Sequence, residues 1–111
     1  MGYFKRVILL EIWGYILAFD SESDGDWSVY IILSSDDRLY TGITTDIKRR
    51  WQQHSGNKGG ARFFRGRKPE QLVYLEAGHD RSSASKREAF IKKLRRPQKE
   101  KLLKSEKNLI K

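Results

Sequence analysis

Two short runs rich in β-branched and aromatic residues, Trp27–Leu33 (WSVYIIL) and Arg38–Ile43 (RLYTGI), flank the four polar residues Ser34-Ser35-Asp36-Asp37. Ser and Asp bond readily to their own backbone and favour turns, so the two runs are predicted to fold back on each other as an antiparallel hairpin. A hairpin exposes one or both faces until something packs on it, and the rest of the chain must supply that cover.

Downstream, the pattern predicts the cover. Asp46–His54 shifts to helical spacing, with Thr45 or Asp46 available as N-cap. Residues 56–68 form a glycine-rich basic loop, and Gln71–Glu76 (QLVYLE) reads as a third strand. Ser82–Arg96 reads as a helix with Ala84, Ile91 and Leu94 as its apolar positions, broken by Pro97, and Gln98–Lys104 as a short last helix. The expected order is β-β-α-β-α-α, an α+β domain with a small, mostly antiparallel three-stranded sheet over residues 27–104. Residues 105–111 read as a basic tail.

The first 26 residues differ in character. Val7–Phe19 is apolar except at Glu11 and Gly14, well short of the roughly 20 residues that span a bilayer. It follows Lys5 and Arg6 but lacks a small-x-small cleavage site, and Ser21–Asp26 reads as an acidic linker. An extension lying on the domain is expected, with membrane contact by residues 7–19 as the alternative and the cytoplasm as the compartment.

Composition narrows the chemistry. Without Cys, disulfide scaffolds, thiolate zinc sites and thiol catalysis are excluded, and His54 and His79 alone cannot form a histidine metal cage. The formal net charge is +9, and since the first 26 residues are net acidic, the excess lies wholly in the domain. Such a surface attracts polyanions, nucleic acid foremost, although charge alone would also suit an anionic membrane.

Three polar placements are more than ordinary surface. Tyr30 and Tyr40 fall opposite or diagonal on one hairpin face, with Gly42 two residues on; an aromatic pair that merely stabilises the sheet has the same pattern. Ile47, Arg50, Trp51 and His54 share a helical stripe, so Arg50 and His54 are drawn toward the sheet with the apolar pair. There Arg50 either snorkels at the rim or awaits a phosphate, whose oxygens suit its planar fork. Glu88 lies along the stripe of Ala84 and Ile91; it is either an i,i+4 partner of Lys92 or a functional carboxylate, with Glu76 as the competing acid.

Ser28-Val29-Tyr30, Tyr40-Thr41-Gly42, Arg49-Arg50 and a helical Glu88 together resemble the GIY-YIG nuclease superfamily. The likeness is nearest to its small stand-alone bacterial members of the YhbQ type, and His54-Ser55-Gly56 with Gly59-Gly60-Ala61 is also similar to the catalytic domain of the structure-specific junction endonuclease. The resemblance implies metal-dependent hydrolysis of DNA phosphodiester bonds in repair or recombination. It implies that Glu88 holds a single Mg²⁺ or Mn²⁺ and that Arg50 stabilises charge on the phosphate. Tyr30 or Tyr40 would help deprotonate the attacking water, with Tyr30 favoured, and His54 would serve as a proton relay. Gly42 would let the phosphate approach without a Cβ in the way. The chain departs from the pattern where Ser28-Val29 replaces Gly-Ile, and where Glu100 stands at the place of a late Asn, with Gln98 the nearest amide.

Arg49, Lys58, Arg62, Arg65, Arg67 and Lys68 would meet the backbone of double-stranded, branched or single-stranded DNA. Arg95, Arg96, Lys99, Lys101 and Lys104 would extend the track. Phe63 and Phe64 within the basic loop either stack on unpaired bases or tuck into the core. A non-catalytic nucleic-acid-binding module with the same fold is the alternative to the endonuclease; a membrane-associated protein tethered by residues 7–19 is a third.

Overall fold

The computed structural model of the chain describes residues 26–56 and 59–110. The expectations for the apolar run at 7–19, for most of the acidic linker and for Lys58 lie outside the described residues. Strands β1 (Trp27–Ser34) and β2 (Leu39–Thr44) form the hairpin, followed by helix α1 (Ile47–His54), strand β3 (Pro69–His79), and helices α2 (Arg81–Lys92) and α3 (Arg96–Leu103). A short 3₁₀ turn, Arg62–Phe64, interrupts the glycine-rich loop. The domain is α+β with an antiparallel sheet of order β2-β1-β3. Among the described residues no helix is long and apolar enough to cross a membrane.

The central place of β1 explains its unbroken apolar run. Tyr30 and Ile32 point into one core with Ile47 of α1, Phe64, Leu72 and Leu75, while Val29, Ile31 and Leu33 point into a second with Ala84, Ile91 and Leu103 of the other helices. Both faces are therefore covered, which is where continuous rather than alternating hydrophobicity is expected. β3 serves both cores through a bulge. Ile31 pairs with Tyr74 but its neighbour Ile32 pairs with Leu72, leaving Val73 as the extra residue. Leu72 and Leu75 consequently enter the first core, and Val73 and Tyr74 the second.

Helix ends follow cap chemistry. The Asp46 carboxylate accepts the Arg49 N–H at 3.0 Å, and Asp80 and Ser83 close a reciprocal capping box on α2. Pro97 acts differently from expectation. Rather than ending a helix reaching Arg96, it sits in the first turn of α3, where its missing N–H has no intrahelical partner to lose, and α2 has already stopped at Lys92.

The C-terminal residues are also no loose tail. Asn108 is buried, its Oδ1 accepting the N–H groups of Leu75 (3.1 Å) and Ile110 (2.9 Å) and its Nδ2 donating to the carbonyls of Val73 and Leu103, both at 2.9 Å. Leu109 N–H adds a bond to Leu75 O at 2.9 Å. These contacts satisfy polar groups along the outer strand β3, which would otherwise be open to pairing. Residues 105–110 thus belong to the folded domain.

Candidate active site

The hairpin register sets the two phenols. Tyr30 pairs with Gly42 and Ile32 with Tyr40, so the tyrosines are diagonal neighbours on one face, their ring centroids 6.2 Å apart. Tyr30 is fully buried, whereas Tyr40 is part-exposed and rests on His54, Phe63 and Phe64 at centroid distances of 5.4, 5.0 and 5.3 Å. The space over Gly42, expected to admit a phosphate, is filled by Tyr30 itself. A Cβ at position 42 would strike the Tyr30 hydroxyl and stand 2.6 Å from Cζ. Glycine is needed there for the ring, since the outer end of the cross-strand tyrosine occupies the place of a Cβ.

α1 carries the nitrogen donors. Ile47 anchors it in the core and brings His54, only 3% exposed, inward on the same stripe. His54 Nε2 lies 2.8 Å from the Tyr30 hydroxyl, and its Nδ1 accepts the Ala61 N–H at 3.2 Å. Arg50 Nη1 donates to Gln53 Oε1 at 2.8 Å and to the Gly59 carbonyl at 2.9 Å, leaving the rest of the guanidinium within hydrogen-bonding reach of the Tyr30 hydroxyl. Alongside runs a groove of about 260 Å³ lined by Trp27, Ile43, Thr44, Thr45, Asp46, Arg49, Arg50 and Gln53.

The carboxylate comes from α2. Glu88 pairs with Lys92 at 3.1 Å, and the Lys92 ammonium stands 5.8 Å from the Tyr40 ring centroid. Glu88 is also near enough for its charge to disfavour ionisation of Tyr30. Glu76, the competing acid, is fully engaged on the other core: it accepts from the Tyr74 hydroxyl, lies 2.6 Å from His79 Nε2 and binds Arg87 Nε at 3.2 Å. Burial would raise its pKa, but these hydrogen bonds and the Arg87 charge outweigh burial and lower it. Among the described residues, no group of three or more acids or histidines could cage a metal. The partly exposed Glu88 carboxylate suits a hydrated hard cation, for which water and substrate oxygens complete the shell.

Electrostatics separates the groups. Burial pushes the Tyr30 pKa far up, partly opposed by the Arg50 hydrogen bond. Burial, aided by the Arg50 charge, pushes His54 down to about 4, so its imidazole is neutral at pH 7.

The basic loop is less free than its composition implied. Phe64 is buried and Phe63 packs beside it at 5.0 Å, so their rings face the core instead of solvent. Arg67 is committed as well, bound to Asp36 at 2.9 Å and to the Phe63 carbonyl at 2.9 Å, with its guanidinium 4.5 Å above the Phe63 ring. Arg49, Arg62, Arg65 and Lys68 are exposed. In the expected C-terminal track, Arg96 instead ties α3 to the β1–β2 turn through Asp37 and to Glu100.

Sequence reasoning missed the residues that brace the site. Gln53, three positions after Arg50, carried a helical-spacing signal; Gly59, Gly60 and Ala61 entered only through the motif resemblance, which assigned them no contact, because their contacts form only when the loop closes on α1.

The profile of the GIY-YIG catalytic domain matches residues 26–111. A UPF0213 protein of Desulfotalea psychrophila is 51% identical over 79 residues, covering 71% of this chain and 72% of its own. The UPF0213 protein YhbQ of Escherichia coli K12 is 46% identical over 77 residues, 69% of this chain and 76% of its own. Among solved structures, the solution NMR structure of a UPF0213 protein of Bacillus halodurans is similar at 38% identity with a TM-score of 0.48, covering 74% of this chain and 86% of that one.

Proposed function

This chain belongs to the GIY-YIG catalytic domain family, and from that premise we propose that it is a divalent-metal-dependent endonuclease hydrolysing DNA phosphodiester bonds. The observation that carries the reading is the braced Arg50: a cation held by Gln53 and Gly59 beside the buried Tyr30 hydroxyl, at the head of an open groove. A guanidinium fixed in this way needs little reorganisation as negative charge grows on a phosphate.

In this reading Arg50 binds the scissile phosphate and neutralises its oxygens. Tyr30 takes the proton of the attacking water, and Tyr40, at the rim, orients that water and the phosphate. A neutral phenol is a poor base, so Tyr30 must first ionise, and the His54 and Arg50 hydrogen bonds at its oxygen favour the ionised form. Glu88 holds the divalent ion, which when bound supplies positive charge that offsets the phosphate and favours the phenolate. Arg49, Arg62, Arg65 and Lys68 contact the flanking backbone. The same proposal takes Mg²⁺ or Mn²⁺ as the ion, double-stranded, branched or single-stranded DNA as substrate, repair or recombination as the setting and the cytoplasm as the compartment.

A second reading, a DNA-binding module without catalysis, is favoured by Lys92, which holds the Glu88 carboxylate in a salt bridge that a metal would have to displace. The two separate in one experiment. Full-length protein is incubated with flaps, forks, junctions, duplexes and single strands, in Mg²⁺, Mn²⁺ or chelator. Metal-dependent products support the enzyme. Binding that weakens steeply with salt, without product in either metal, supports the module.

A further inference from the structure

The hydrogen bonds around His54 fix more than its position. Its Nδ1 faces the Ala61 backbone N–H at 3.2 Å, and a peptide N–H can only donate, so Nδ1 must present a lone pair. A neutral imidazole carries one proton, which then has to sit on Nε2, facing the Tyr30 oxygen at 2.8 Å. The imidazolium is disfavoured by the same geometry, because it would set an N–H at Nδ1 head-on against the Ala61 N–H. The low proton affinity of His54 agrees with this.

From this geometry we infer that the Gly60–Ala61 segment is a tautomer lock that makes His54 a hydrogen-bond donor to Tyr30 instead of the acceptor of its proton. Gly60 is the positioning residue. A Cβ there would strike the Gln53 carbonyl oxygen and stand 3.0 Å from its carbon and 3.2 Å from His54 Cα, all backbone atoms of the last turn of α1. Only glycine lets the loop come close enough for the next N–H to reach the imidazole. The Tyr30 oxygen is thereby offered a hydrogen bond by His54, and together with the influence of the Arg50 guanidinium this favours the phenolate. The catalytic meaning rests on the endonuclease reading, but the tautomer does not.

The test is a long-range ¹H–¹⁵N spectrum of the full chain labelled at histidine, recorded at neutral pH. His54→Gln identifies the resonances by their disappearance, since His79 is the one other histidine. The expected pattern for His54 is a protonated Nε2 and an unprotonated, hydrogen-bonded Nδ1. An Nδ1-protonated tautomer, or an imidazolium, overturns the inference. Ala61→Pro then removes the one donor: φ at Ala61 is −65°, a value proline adopts, while its ring Cδ takes the place of the amide hydrogen and makes the imidazole give way. The expected result is loss of the single tautomer, with Nδ1-protonated imidazole appearing. A folded Ala61→Pro protein that keeps the Nε2–H form alone shows that the Ala61 N–H is not the lock. If Ala61→Pro fails to fold, the wild-type spectrum still decides the tautomer, and Gly60→Ala, which withdraws the same N–H, tests the lock. Absence of nicking in the metal assay removes the endonuclease reading and leaves the spectral result intact.

Discussion

The ring of Tyr30 lies directly over the Cα of Gly42, so close that a methyl group there would stand 2.6 Å from Cζ. Because Tyr30 is wholly buried and also tied to His54, it cannot swing aside cheaply. Gly42→Ala is expected to destabilise the domain by about 1–3 kcal/mol, the usual range for overpacking. Urea denaturation of the two proteins measures it; an unchanged midpoint would mean that the ring has room to yield.

Tyr30→Phe keeps the ring and removes one oxygen. The His54 Nε2–H then has no acceptor in a buried site, a loss of about 1–3 kcal/mol. Under the proposed function, nicking falls by about 10²-fold or more, the scale of lost acid–base catalysis. Tyr40→Phe, on the part-exposed rim, is expected to disturb stability much less. Parallel unfolding curves and single-turnover rates separate the two effects.

Glu88→Ala discriminates between structure and chemistry. Its visible interaction is the i,i+4 pair with Lys92, worth about 0.2–0.5 kcal/mol on a helix surface. The variant should therefore fold normally and bind DNA at least as well, yet show no metal-dependent product. Cleavage at the wild-type rate would sink the endonuclease reading.

Acid should unfold the protein in a defined window. His54 accepts a proton at about 4 when folded and near 6.5 when unfolded, so the unfolded chain binds more protons between those values. Stability consequently falls as pH drops from 6.5 toward 4, by about 3 kcal/mol in all, and this contribution levels off below 4. Glu76, whose pKa is lowered, adds its loss only below the ordinary carboxylate value of 4.5. Denaturation free energies measured across pH should show a flatter slope between 6.5 and 4 in His54→Gln, whose amide keeps a donor and an acceptor but does not titrate.

Asn108 should matter as much as a core residue. Asn108→Ala leaves two N–H groups and two carbonyls, of Leu75, Ile110, Val73 and Leu103, without the partners they now have. About 2–4 kcal/mol should be lost if water reaches only some of them. Hydrogen exchange at the Leu75 amide would report it locally.

Much of this protein was legible in the residue order, because local patterns report local geometry. The hairpin, its turn, an N-cap at Thr45 or Asp46 and the stripe carrying Ile47, Arg50 and His54 all depend on neighbours within a few positions, so periodicity and turn chemistry suffice. The shared face of Tyr30 and Tyr40 followed from a strand period of two, and the register then made them diagonal. What stayed hidden depended on partners distant in sequence. Glu76 and Glu88 are both acids on predicted elements; only the packing of Tyr74, His79 and Arg87 around Glu76 shows that its oxygens are already taken. Phe63 and Phe64 turn inward because a first core exists for them to fill, and Arg67 is held by Asp36, which lies in the hairpin turn. Asn108 read as part of a basic tail until strand β3 presented an open edge of matching donors and acceptors. The sequence by itself determined which side chains share a strand face or a helix stripe, since their spacing along each element is covalent. Tertiary structure alone decided which of them are buried and hydrogen-bonded, and hence which way each proton points, because those depend on the dielectric and the donors that non-local packing brings together.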